Sequence, residues 1–206
     1  MFTGIIEAVG EVVALEPTAE DGAVLAVRAP QIAPQLADGA SLAVAGVCLT
    51  ATPSPEPGVF RAEMMGETLR RTRLGSVHPG NRLNLERAVP ADGRLDGHIV
   101  QGHVDAVGTV RAVEDRGDWT LVRIGVPADC APLLVEKGSV AVDGTSLTVT
   151  AVSEAGDAEP WFEIGLIPAT LERTTLGSLA AGDIVDVETD VLVRHLARLA
   201  AFAAAR

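Results

Sequence analysis

Short Val-rich runs recur along the first half of the chain. Val9, Val12, Val13 and Leu15, then Val24-Leu25-Ala26-Val27, Leu42-Ala43-Val44, Leu49 to Thr52 and Leu83-Asn84-Leu85 have strand length. Clusters such as Asp21-Gly22, Pro53-Ser54-Pro55-Glu56-Pro57-Gly58 and Pro90-Ala91-Asp92-Gly93 separate them and supply turns. Regularly spaced short strands in a unit of this size predict a small closed barrel or a sandwich, since closure removes edges that a small sheet cannot protect. Met64-Met65 and the block Glu67–Arg73 interrupt the rhythm and predict one or two helical turns between strands. A longer helix is predicted from Val191 to Ala205, with Leu192, Leu196 and Leu199 along one face. That face packs either on its own domain or on a partner chain.

The chain repeats itself. Gly4-Ile5-Ile6-Glu7-Ala8-Val9-Gly10 matches Gly102-His103-Val104-Asp105-Ala106-Val107-Gly108 at an offset of 98 residues. Ser41 to Thr50 matches Ser139 to Thr148 at the same offset. Glu67 to Ser76 matches Ala169 to Ser178 at an offset of 102, and Pro168 suits the first turn of the helix expected there. Three blocks in one order are a duplication. The expected units are residues 1–97, residues 98–190 and a terminal helix, residues 191–206.

Composition narrows the function. With 16 Lys+Arg against 28 Asp+Glu the net charge is −12, which repels nucleic-acid phosphates. Four Phe, two Trp and no Tyr leave few stacking platforms for single strands. Cys48 and Cys130 cannot make a disulfide scaffold. The start of the chain lacks a basic n-region, and the apolar tail carries Arg194, His195 and Arg198, so neither a signal peptide nor a membrane span is expected. A cytoplasmic protein is expected, with no nucleic-acid or membrane partner.

No Walker loop, dinucleotide fingerprint or nucleophile elbow is present. His98 and His103 are five apart, which on a strand puts them on opposite faces and makes a poor metal pair. No metal site is expected. The sharper signal is how the halves differ: Cys48 becomes Ser146, Ile5 becomes His103, Gly39 becomes Lys137 and Ala88 becomes Asp190. Ser41/Ser139 and Thr50/Thr148 stay paired. Matched hydroxyls beside unmatched titratable groups point to two related pockets with different roles; drift after duplication is the plain alternative. Cys48 with Thr50, and Ser146 with Thr148, are two apart and share a strand face, a polar row suited to a heterocycle edge.

Met1-Phe2-Thr3-Gly4-Ile5-Ile6-Glu7, Gly46-Val47-Cys48-Leu49-Thr50, Glu67-Thr68-Leu69-Arg70-Arg71-Thr72, Gly97-His98-Ile99-Val100-Gln101-Gly102-His103-Val104-Asp105, Asp143-Gly144-Thr145-Ser146-Leu147-Thr148-Val149 and Leu171-Glu172-Arg173-Thr174-Thr175-Leu176-Gly177 resemble the riboflavin synthase alpha-chain family over essentially the whole chain. The resemblance implies a mainly β fold: two homologous six-stranded Greek-key β-barrels in tandem plus a C-terminal α-helix, typically as a homotrimer. It implies dismutation of two molecules of 6,7-dimethyl-8-ribityllumazine to riboflavin and 5-amino-6-(D-ribitylamino)uracil, with no cofactor. The pocket is expected between the N-terminal barrel of one subunit and the C-terminal barrel of the next. Association with lumazine synthase is a further implied partner.

Carried over by position, Ser41, Cys48, His103, Lys137 and Asp190 are the candidates for proton transfer and nucleophile activation. The substrate-lining stretches implied are Gly4, Ile5 and Ile6; Cys48, Leu49 and Thr50; Glu63, Met64, Met65, Gly66, Glu67 and Thr68. In the second half they are Gly102, His103 and Val104; Lys137; Ser146, Leu147 and Thr148; Ile167, Pro168, Ala169, Thr170, Leu171 and Glu172. The chain departs from the family at Ala169, where Glu is common, at Asp186, where Asn is usual, and at Arg194-His195, where Lys-Tyr is usual. Two other readings remain, a non-catalytic lumazine or flavin carrier and a structural barrel.

Overall fold

The computed structural model describes residues 1–205. The first repeat forms β1 (Ala8–Pro17), β2 (Ala23–Arg28), β3 (Ser41–Val44), β4 (Val47–Thr50), β5 (Val59–Met64), α1 (Gly66–Arg71) and β6 (Arg82–Arg87). The second forms β7 (Ala106–Asp115), β8 (Thr120–Gly125), β9 (Ser139–Val142), β10 (Thr145–Val152), β11 (Trp161–Leu166), α2 (Pro168–Arg173) and β12 (Ile184–Thr189), and α3 (Val191–Ala204) follows. The first sheet runs β4-β3-β6-β1-β2-β5, and the second has equivalent neighbours closed into a barrel. All ladders are antiparallel.

The first barrel is nearly closed. Its seam rests on Thr52, whose N–H donates to the Arg61 carbonyl at 2.9 Å. Pro53 is the reason: it stands where the second repeat has Ala151, which pairs with Glu163, and proline has no N–H to add to a ladder. Strand β5 is not evident in the sequence pattern, because Arg61, Glu63 and Met64 disguise it. Both short helices form, α2 with Pro168 in its first turn.

Alternation fills each barrel. Val47 and Leu49 point into the first core with Leu25, Val27, Leu42, Phe60 and Leu85, while Cys48 and Thr50 face outward. The second core gathers Val122, Ile124, Val140, Val149, Phe162 and Ile164. A third cluster joins the barrels: Phe2, Val100, Ala43 and Ala141, two pairs of repeat-equivalent residues. The backbones of Phe2 and Val100 bond each other in both directions, at 2.7 and 3.2 Å.

Polar groups at this seam obey the same approximate two-fold. The Asn84 Oδ1 accepts from the Thr175 N–H at 2.7 Å, and its Nδ2 donates to the Asp143 carbonyl at 3.0 Å. In the equivalent place Asp186 Oδ1 accepts from the Arg73 N–H at 2.8 Å, while Oδ2 is buried with no partner. Asp143 accepts from the Arg73 guanidinium and from the Asp186 N–H, both at 2.8 Å. Burial raises both carboxyls; Arg73 counters this at Asp143, whereas Asp186 is pushed to about 8 by burial and by facing Asp143. Near neutral pH Asp186 therefore holds a proton in preference to Asp143, which brings it closer to the uncharged Asn84. An unfolded aspartate titrates near ~3.9. Between that value and about 8 the folded chain holds the extra proton, so stability falls as pH rises through the window. For Asp186→Asn we expect a melting-temperature gain that is larger at about pH 8.5 than at about pH 5. Equal gains at both would place the ionisation elsewhere.

Candidate functional site

Each outward polar row is finished by a segment from the other repeat. The Cys48 N–H donates to the Gly102 carbonyl at 2.9 Å, and the Ser146 N–H donates to the Gly4 carbonyl at 2.8 Å. Residues preceding β1 thus lie on the second barrel, and residues preceding β7 lie on the first. Gly4 and Gly102 have φ of +77° and +79°, and a Cβ on either would sit 2.5 Å from the Cβ of Ser146 or Cys48. Only glycine permits both the left-handed backbone and that approach. The segment carrying His98 and His103 is irregular, with one bridge at Val100, so the expected strand geometry for the two histidines does not apply.

Two edges result. On the first, Ser41 pairs across β3–β4 with Thr50, and Cys48 lies under Gly102 beside exposed His103. On the second, Ser139 pairs with Thr148, and Ser146 lies under Gly4. Lys137 precedes Ser139, and Asp190 follows β12 and caps α3 by accepting from the Leu192 N–H at 2.9 Å. The five candidates for chemistry divide accordingly, with Ser41, Cys48 and His103 on one edge and Lys137 and Asp190 on the other. Among the described residues no hydrogen bond joins the two sets.

The remaining lining candidates border the same edges. Met65 and Ile167 hold equivalent positions just before α1 and α2 and are 74% and 59% exposed. Ile5 is also exposed, and Ile6 is half-buried. Gly66 and Thr68 open α1, as Pro168, Ala169 and Thr170 open α2; the Thr68 and Thr170 carbonyls accept from Thr72 and Thr174. Glu63 and Glu172 are exposed, and Glu67 pairs with Arg71 at 2.9 Å. Leu49, Met64, Val104, Leu147 and Leu171 instead turn their side chains toward the barrel cores. A cavity of about 610 Å³ opens at Ala131, Pro132 and Trp161, and none of the candidate residues lines it.

Three groups at the edges were missed in the sequence. His98 is buried, and its Nδ1 lies 2.7 Å from the Ser146 Oγ. Burial lowers its pKa, with the Asp190 charge opposing, so the ring is neutral at pH 7. Glu86 and Glu188, equivalent at an offset of 102, are buried behind Thr3-Gly4 and Gln101-Gly102-His103. The repeat itself carried that signal: both are carboxylates at the same place in the two halves.

Lys137 has φ +67°, and the equivalent Gly39 has φ +79°. Both N–H groups donate to equivalent carbonyls, of Val149 and Ala51. A side chain in this conformation costs about 1 kcal/mol or more, so the turn is tuned for glycine and carries lysine in one repeat only. Lys137→Gly is expected to leave stability unchanged or raise it by up to about 1 kcal/mol while turnover falls. A parallel loss of stability, by thermal unfolding, would count against that reading.

Among the described residues no cluster of His, Cys, Asp and Glu is arranged to hold a metal, and no helix is long and apolar enough to cross a membrane.

This duplicated barrel, with its crossed edges, is of the lumazine-binding class: a family model described as lumazine binding domain matches residues 3–88 and again 101–190. The riboflavin synthase of Mycobacterium tuberculosis (strain ATCC 25618 / H37Rv) is 48% identical over 199 residues, spanning 97% of this chain and 98% of the relative. That of Brucella abortus (strain 2308) is 40% identical over 206 residues, with 98% and 99% covered. That of Schizosaccharomyces pombe is 38% identical over 202 residues, with 97% and 93% covered. The chain belongs to the riboflavin synthase family. The solved structure of LumP complexed with riboflavin superposes with a TM-score of 0.81 at 24% identity over 92% of this chain and 99% of that one, a likeness of fold.

Proposed function

We propose that the chain converts two molecules of 6,7-dimethyl-8-ribityllumazine into riboflavin and 5-amino-6-(D-ribitylamino)uracil by moving a four-carbon unit, without metal or organic cofactor. The observation that carries this is the pair of equivalent outward edges, Cys48/Thr50 and Ser146/Thr148, each completed by the other repeat's leading segment. Two copies of one edge suit two copies of one substrate. Exposed Met65 and Ile167 give each edge an apolar face for a ring.

The chemistry asks little of a base, since the anion of the lumazine 7-methyl group is delocalised over the ring. One bound lumazine gives up a methyl proton; the other is activated at C7 by addition of a nucleophile; most of the rate comes from holding the rings face to face. Cys48 and Ser41 supply thiol and hydroxyl at the first edge, with His103 to carry the proton. Lys137 and Asp190 serve the second edge, where Ser146 and Thr148 bond the heterocycle. Because one chain divides these groups between two edges, the working pocket joins a first edge to the second edge of a neighbouring subunit in a homotrimer. A cytoplasmic location fits the two free thiols, Cys48 and Cys130. Association with lumazine synthase belongs to the same reading and is checked by co-elution.

The decisive experiment incubates the purified chain with the lumazine plus EDTA and follows riboflavin absorbance. Riboflavin formed at a rate that EDTA leaves unchanged supports the proposal; bound lumazine retained without conversion would make the protein a carrier. The carrier reading is weaker because LumP is 24% identical and the three riboflavin synthases described above are 38–48% identical. In the same assay Cys48→Ser is expected to keep part of the activity and Cys48→Ala to lose more, as Ser146 shows that a hydroxyl fits there. Near-parental rates for both would assign Cys48 to packing.

A further inference from the structure

Glu86 and Glu188 do work that packing alone does not require. Each is a carboxylate at most 3% exposed, at equivalent positions of strands β6 and β12. Burial without partners would be costly, and a leucine would fill either place. Instead each carboxylate collects the N–H groups of the opposite repeat's crossing segment. Glu188 Oε1 accepts from the Gln101 N–H at 2.6 Å, and Oε2 accepts from the Gly102 and His103 N–H groups, both at 2.9 Å. Glu86 Oε1 accepts from the Thr3 N–H at 2.6 Å and its hydroxyl at 2.7 Å, and Oε2 from the Gly4 N–H at 2.9 Å. Burial raises both pKa values, opposed by these same hydrogen bonds.

Three donors converging on one carboxylate fix a segment that has no regular structure of its own. The same glycines then offer their carbonyls outward, Gly102 to Cys48 and Gly4 to Ser146. We propose that Glu188 and Glu86 are positioning residues for the two substrate edges, Glu188 setting His103 against Cys48 and Glu86 setting Ile5 against Ser146. The proposal rests on the reading of the chain as riboflavin synthase for its rate effect, but its geometric half is testable without substrate.

Glu188→Gln keeps the shape but turns an NH2 group toward an N–H donor, so at least one contact of the clamp becomes repulsive. A displacement of about 1 Å in a catalytic segment can cost on the order of 100-fold in rate. We expect Glu188→Gln to lower kcat about 100-fold while lumazine affinity, read by fluorescence, changes less than about threefold. With the segment loosened, iodoacetamide should alkylate Cys48 several-fold faster, as mapped by mass spectrometry. Cys130, buried with its thiol pushed to about 12, serves as the internal unreactive control. Glu86→Gln, the same change at the other edge, should leave Cys48 alkylation at the parental rate. Glu188→Asp keeps the charge and should fall between parent and Glu188→Gln in both readouts.

Parental kcat in Glu188→Gln, unchanged Cys48 alkylation, or equal acceleration by Glu86→Gln would each overturn the proposal. So would failure of both Glu188 variants to fold, which would make the carboxylate a structural requirement only. If the parent forms no riboflavin, the functional reading fails, and the alkylation comparison still decides the clamp.

Discussion

Ending the chain at Asp190 is expected to yield a monomer that binds lumazine and forms riboflavin at least about 100-fold more slowly, because orientation of two rings in one pocket is lost. Leu192, Leu196, Leu199 and Phe202 are each more than half exposed on α3, and none is buried by its own barrels. Burying three leucines per chain contributes on the order of 5 kcal/mol before ordering costs, enough to hold a modest oligomer together. The barrels lose little by the cut, chiefly the Arg194–Asp105 pair at 3.1 Å. Each truncated chain would keep both edges, Cys48 with His103 and Ser146 with His98, but have no neighbour to face. Light scattering alongside riboflavin production makes the measurement. A truncated monomer at the parental rate would show that both edges work within one chain.

Gly102→Ala is expected to abolish most activity and to lower stability by about 2 kcal/mol or more, from left-handed strain and a displaced backbone hydrogen bond. The added methyl would lie 2.5 Å from the Cys48 Cβ and 2.7 Å from its N, atoms of a paired strand that cannot retreat. The segment must therefore lift, and His103 moves with it. Gly39→Ala offers the comparison, since that glycine has the same φ but nothing within 4 Å of the added methyl. It should cost only the strain, about 1 kcal/mol, and spare the thiol edge. Similar losses in both variants, by thermal unfolding and by turnover, would remove close approach as the cause.

The duplication was legible because its blocks keep their order, and the jump of offset from 98 to 102 is taken up by β10, which runs four residues longer than β4. Cys48 and Thr50 on one face could be read from a period of two, and α2 from Pro168. The crossing of the leading segments could not be read. Gly4 and Gly102 occupy equivalent places, so placing either on its own barrel or on the other satisfies the same apolar pattern; only the fold decides. His98 gives no local signal of its role, because its partner Ser146 lies 48 residues away. Glu86 and Glu188 were hidden for another reason. Titratable positions that differ between repeats stand out in a comparison of the halves, and these two are alike.

The crossed segments also impose an order of events on synthesis. Residues up to β6 can collapse into a barrel as they emerge, because their core is drawn from the first repeat with few outside contributors. Its seam, thinned at Pro53, and its Cys48 edge remain bare at that stage. The cover for Cys48 is Gly102, which leaves the ribosome only after the whole first barrel, and the clamp on that cover is Glu188, later still. The thiol edge is thus completed from the far end of the chain, so a first barrel with a finished edge is also a report that the second has folded.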